Sequence, residues 1–352
     1  MAFNVRLMLN EIMPLRRIQV RYPKSRTSIN NIYDRTDNDG RVRIERDDDP
    51  RGVEVEVYAN NPVVGAVSGA LNAQVSVMTR LHADEEMIVP RKAKDRDNFR
   101  MVEVARDIYN RTCRHFSPFT AEFPFPNVGE NLTRQIRIKL DSPSSTSFTD
   151  PHAPQFDYPL IHIKENQVRL ADGTLDFGGQ LRRHISSELA HALHFGTMNG
   201  AKRRAVRLRY LATLISSGVL DGFDFSWSDG DPDARLMAFV EAFDLFVDHF
   251  DQTLAIGTNY NVRRASFNAD EIASIVTATG AATGPRTPGA VCLALFRDYA
   301  GAPGIGLKTA VTHYVTSGSL TFPDFRRWVR RNFGENSVEF AAIDAAATAG
   351  GM

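Results

Sequence analysis

The stretch HISSELAHALHFG, residues 184–196, decides how the rest of the chain is read. It predicts a helix over residues 181–195, after the turn-rich RLADGTLDFGG, with Gly196 where a helix C-cap falls. Residues four apart share a helix face, so Ser187 and His191 lie together, and Glu188 stands beside the first of them. His184 precedes His191 by two turns on the same face, about 10.5 Å along the axis. His194 follows on the other flank. An acid and an imidazole at this spacing are the groups that metal ligation and proton transfer require.

A second acid draws attention downstream. Glu241 sits in the apolar run MAFVEAFDLFV. Burying a bare carboxylate is expensive, so this one needs a metal, a cation or a proton. An arginine partner could serve, and His191 and His194 could equally be hydrogen-bonded core histidines. A di-iron bundle would need a second E-x-x-H. The chain offers none, since Glu241 is followed three residues on by Asp244.

Composition sets the frame for these groups. The 352 residues suggest two domains or three, with length enough for a sizeable core. Apolar residues make up 43% and charged residues 24%, which fits a soluble globular chain. Lys plus Arg and Asp plus Glu balance at 42 each, so no global field favours nucleic acid or an anionic membrane. No window has the apolar length of a membrane span. The start of the chain lacks the features of a signal peptide, which suggests a protein cytoplasmic as made or exported without a classical leader. Cys113 and Cys292 match no metal or redox spacing and read as free thiols.

Organisation along the chain predicts an α+β fold. RIQVRY (17–22), RVRIE (41–45), VEVEVYA (53–59) and AQVSVMT (73–79) alternate as strands do, with turn signals between them. They predict a β-sandwich over residues 1–88. Asp37-Asn38-Asp39-Gly40 reads as a hairpin turn. It is no calcium loop, because Arg35 and Arg46 stand where that loop needs carboxylates. The charged segment 83–97, with Pro90, reads as a linker. Beyond it, residues 95–170 predict a helix (99–116) and strands (134–141 and 158–166), with a polar loop over 142–155. The helix at 181–195 and a helical lobe over 200–352 complete a second domain, 89–352.

The stretch YDRTDNDGRVRI resembles a turn of transthyretin-like and carboxypeptidase-regulatory-like sandwiches. The register Ser187-Glu188-x-x-His191 resembles the H-E-x-x-H helix of zincin metallopeptidases, with serine in place of the first histidine. VEAFDLF resembles the helix that supplies a glutamate ligand in the gluzincin branch, which maps onto Glu241. The resemblance covers residues 95–335 and implies a zinc peptidase fold. In such a site Glu188 is the general base, His191 and Glu241 are ligands, and YPLIHIKEN (158–166) is the edge strand beside the substrate. Serine is a poor ligand, which leaves two protein ligands where a catalytic zinc site keeps three. His184 is one candidate to replace the third. Asn261 in GTNYN, which resembles an aspzincin ligand segment, is a weaker one.

This count leads to the expectation of a degenerate site with weak or absent zinc. The chain is then a pseudo-peptidase, a protein- or peptide-binding or structural component or an effector. The alternative is an active zinc peptidase with a non-standard ligand set, and a third reading is an adaptor that binds through its sandwich. Other motifs carry less. KRRAVRLRY (202–210) and WVRRNFG (328–334) read as solvated helix faces. GAPGIGLKT (301–309) breaks P-loop spacing and reads as a helix–helix loop. The serines near His184 form no G-x-S-x-G elbow.

Overall fold

The computed structural model describes residues 3–9, 13–25, 28–45, 52–82, 87–88, 90–111, 135–140, 147–154, 158–176, 179–216, 232–256 and 288–350. Cys113, Asn261 and the Pro-rich 117–129 lie outside them. The architecture is mixed α+β, with antiparallel ladders at the N-terminus and helices after residue 179.

Strand β1 (Phe3–Leu9) pairs antiparallel with β2 (Met13–Pro14) and β5 (Arg41–Ile44), and parallel with β10 (Met87–Ile88). A second sheet runs in the order β4 (Asn31–Arg35), β3 (Gln19–Pro23), β6 (Val53–Tyr58), β9 (Ser76–Leu81). Period-2 patterning explains both sheets. Val53, Val55 and Val57 are buried while Glu54 faces solvent, and Val42 and Ile44 are buried between exposed arginines.

Asp37–Gly40 forms the expected turn but not a hairpin. Its flanking strands β4 and β5 pair in different sheets, with β3 and β1. Asp37 Oδ1 accepts from the Asp39 and Arg41 amides at 2.8 Å each. Gly40 has φ +76°, and a Cβ there would lie 2.5 Å from the Leu7 carbonyl oxygen, so only glycine lets the chain change sheets at this point.

A third sheet has the order β12 (Phe148–Ala153), β13 (Tyr158–His162), β11 (Ile136–Lys139), β7 (Val64–Ser68), β8 (Ala73–Gln74). Here the observed chain departs from three expectations. β7 pairs parallel with β11, Val64 opposite Ile136, so the ladder runs across the boundary expected at residue 88. One core cluster likewise joins Val5 and Val55 to Ile138, Leu189 and Phe243. The polar loop expected over 142–155 contains β12, whose Thr149 and Asp150 are buried by partners described below. The end of the sheet order is thus β12, and the segment expected as the edge strand, 158–166, supplies the internal strand β13 and a short helical turn at Glu165–Gln167. The charged linker is also partly regular. Met87 and Ile88 form β10, and α1 (Ala93–Arg111) begins inside it.

The helical half holds α2 (Gln180–Gly196), α3 (Gly200–Ser216), α4 (Pro232–Ile256), α5 (Pro288–Leu293) with a π-helical continuation over Ala294–Tyr299, α6 (Gly306–Ser317), α7 (Phe322–Phe333) and α8 (Val338–Ala349). α2 packs on α1, α4, β12 and β13, so its two faces meet both the sheet and the helices. Gly196 is the last helical residue, and Thr197 caps the end by donating to the His194 carbonyl at 2.7 Å. The segment 301–309 joins two helices, as its flanks predict. Among the described residues, no helix is long and apolar enough to cross a membrane.

Candidate metal centre

The centre forms where α2 crosses α4. The α2 residues Leu181, Ile185, Leu189, Ala192 and Leu193 are buried at helical spacing and anchor the helix. The same burial fixes a polar row facing a cleft. That cleft, about 370 Å³, is lined by His184, Ser187, Glu188 and His191 of α2, and by Glu241 and Asp244 of α4. Tyr210 from α3, Phe148 from β12 and the charged Arg183 and Asp248 also line it.

His191 Nε2 lies 3.4 Å from Glu241 Oε2 and 3.9 Å from Asp244 Oδ2. One donor atom from each of these three residues falls within 4.8 Å of the others, so the group could hold a metal ion. Donors that share an ion at bonds of about 2.1 Å stand roughly 3.0–3.5 Å apart, so small side-chain adjustments suffice. Ser187 lines the cleft beside Asp244 and favours the charged form of its carboxyl. Asp244 Oδ1 and His191 Nδ1 are buried without a hydrogen-bond partner.

Glu188 is held from the sheet. Thr149 Oγ1 lies 2.8 Å from its Oε2 and 2.9 Å from its carbonyl oxygen, bridging side chain and backbone. β12 is itself fixed by Asp150, which takes both its oxygens to Arg207 Nε at 2.8 and 3.0 Å.

The charges here are strongly coupled. Burial pushes the Glu188 carboxyl up to about 7, with His191 and the Thr149 hydrogen bond resisting. His191 responds in the opposite sense. Burial disfavours its charge, but Glu241, Asp244 and Glu188 hold it protonated, up to about 10. Burial, with Glu241 and Glu188 nearby, raises Asp244 well above the carboxylate range against the pull of His191. Three carboxyl groups therefore surround one imidazole, and the cluster holds protons on Asp244 and His191 that a divalent cation would displace.

The other candidates fall elsewhere. His184 lines the cleft but is not one of the three converging donors. Burial lowers its pKa, and Arg183 adds to the effect. His194 is buried on the far flank, its Nδ1 3.3 Å from the Tyr314 hydroxyl, and burial holds it neutral with a pKa of about 3. Cys292 is buried and free, its thiol pushed up to about 12 by burial.

Sequence reasoning missed Asp244, Thr149 and Tyr210 as cleft residues. Asp244 carried a usable signal: three residues from Glu241, it shares that helix face. Thr149 lay in the segment read as a loop. Tyr210 closed a basic run read as solvated, yet in that run Arg203 is buried over the Tyr158 ring and Arg207 is paired with Asp150. No protein family matches the chain, and a search of curated proteins finds no similar sequence.

Proposed function

We propose that the cleft is the active site of a metal-dependent hydrolase of zincin-like build, with peptides as substrates. The ligands are His191, Glu241 and Asp244, and Glu188 is the proton acceptor. Asp244 takes the part that Ser187 cannot play. The observation that carries this reading is the convergence of three donors beside a third carboxyl, that of Glu188, in an open cleft.

A divalent ion held there supplies a Lewis acid for a substrate carbonyl and for water. The residues of the chain do the rest. Thr149 fixes the Glu188 carboxyl at the cleft wall, so it can take a proton from attacking water and return it to the leaving amine. Phe148, the half-buried first residue of β12, borders the cleft and offers an apolar contact to a substrate side chain. Tyr210, whose hydroxyl is kept neutral by burial and by the nearby carboxylates, offers a hydrogen-bond donor.

One observation favours a second reading, a non-catalytic peptide-binding module. Glu188 already has a hydrogen-bond partner in Thr149, and His191 already has acidic partners. Metal analysis of chain purified without chelator, followed by incubation with casein and a mixed peptide pool, separates the two. The hydrolase reading expects one ion per chain and cleavage, with Glu188→Gln keeping the ion and losing cleavage. An ion with no cleavage under any divalent metal supports the binding module. A chain that takes up no divalent ion refutes the proposal.

A further inference from the structure

Resting on the metal-site reading above, we propose that the centre selects an oxygen-preferring divalent ion of the manganese(II) class rather than zinc. The donor set is the first reason. It offers one imidazole nitrogen and two carboxylate oxygens, whereas a gluzincin-like zinc site takes two nitrogens and one oxygen. Carboxylate and water suit manganese, magnesium and calcium, while imidazole suits zinc, copper and iron. The single imidazole turns the choice away from magnesium and calcium, which take oxygen alone.

Position 187 is the second reason. Helix geometry would place a second nitrogen there, four residues before His191. Ser187 instead gives a short hydroxyl, which leaves the cleft open to the Asp244 carboxylate from the facing helix. Serine at this position thus omits a nitrogen and leaves room for an oxygen. Charge agrees: Glu241 and Asp244 as carboxylates with neutral His191 balance a divalent ion.

Space permits the higher coordination number. A six-coordinate ion with three protein ligands needs three waters, about 90 Å³ at roughly 30 Å³ each. The cleft holds about 370 Å³. A four-coordinate zinc ion would need one water.

Zinc outranks manganese at almost any site in absolute affinity, so the test is a comparison. The full chain and its Ser187→His variant are titrated with Mn2+ and with Zn2+ against a chromophoric chelator, and bound Mn2+ is also followed by its paramagnetic resonance. In the wild type one Mn2+ should bind, and Asp244→Ala should lose it. Ser187→His should gain roughly 10–100-fold for Zn2+ with little gain for Mn2+, the effect expected of one added nitrogen ligand. The wild-type resonance measurement stands even if Ser187→His fails to fold. Zinc bound by the wild type with Mn2+ excluded at millimolar concentration overturns the inference and leaves the hydrolase reading standing. Equal gains for both ions in Ser187→His also overturn it. Binding of neither ion to the wild type overturns the inference and the hydrolase reading together.

Discussion

Arg182 is the clamp that sets the α2–α4 crossing, and Arg182→Met measures its worth. Its guanidinium donates twice to Asp251 of α4, at 2.7 and 2.8 Å, and once to Asp107 of α1, at 2.8 Å. Burial alone would lower its pKa, but Asp251 and then Asp107 raise it. The Asp251 side chain is only 2% exposed and that of Asp107 39%, so the cost falls on Asp251. Removing one member of a buried pair costs about 3–5 kcal/mol, mostly because the remaining buried charge loses the pairing and the two hydrogen bonds it had. For 352 residues the unfolding entropy is about 0.7 kcal/mol per degree, so a loss of about 4 kcal/mol lowers the melting temperature by about 5–6 °C. Differential scanning calorimetry at pH 7 reads this directly. The double variant Arg182→Met/Asp251→Leu removes both charges and should recover most of the loss. A drop below about 1 °C in the single variant, or a double variant worse than the single, would refute the argument from buried charge.

Two further outcomes can be measured on the same chain. His162 stacks on Phe148 with ring centroids 4.5 Å apart, and burial lowers its pKa to about 4, with Asp150 opposing and Lys139 reinforcing the shift. Because the folded value lies below the unfolded value of about 6.5, the neutral form stabilises the fold above pH 6.5 and that stability is lost as pH falls toward 4. His162→Phe, which keeps the stack, should therefore flatten the acid limb by roughly 2 kcal/mol between pH 7 and 5, read from urea titrations at each pH. Thr149→Val leaves the Glu188 carboxyl without the hydroxyl that holds it at 2.8 Å, and should cost about 1–3 kcal/mol, while Thr149→Ser should cost less because the hydroxyl stays.

Regular periodicity was legible and tertiary partnership was not. The helix expected over 181–195 runs from Gln180 to Gly196, and VEVEVYA forms a strand over Val53–Tyr58. Both patterns follow from burial of one face, which each segment states by itself. β12 was illegible because FTDPHA carries a proline and few apolar residues. Its strand conformation rests on β13 beside it and on Arg207 and Glu188, which neutralise or bond Asp150 and Thr149. The ladder that crosses residue 88 was illegible for a similar reason. Val64–Ser68 is a short apolar run, and nothing within it distinguishes a partner in the N-terminal sheets from β11 seventy residues later.

The candidate metal centre shows the same limit on a smaller scale. A motif read along one helix counts ligands on that helix, and by that count Ser187 is a loss. The cleft is built by two helices, and the space a histidine would fill is open to a side chain from the other. Asp244 lines the cleft there beside Ser187, with Oδ2 3.9 Å from His191 Nε2 and Oδ1 buried without a hydrogen-bond partner. A buried carboxylate in that position is costly unless a cation meets it. On the proposed reading, the serine at 187 and the aspartate at 244 are two halves of one exchange, a nitrogen ligand on α2 traded for an oxygen ligand on α4. On that reading the number of ligands is preserved, and it is their chemistry that changes.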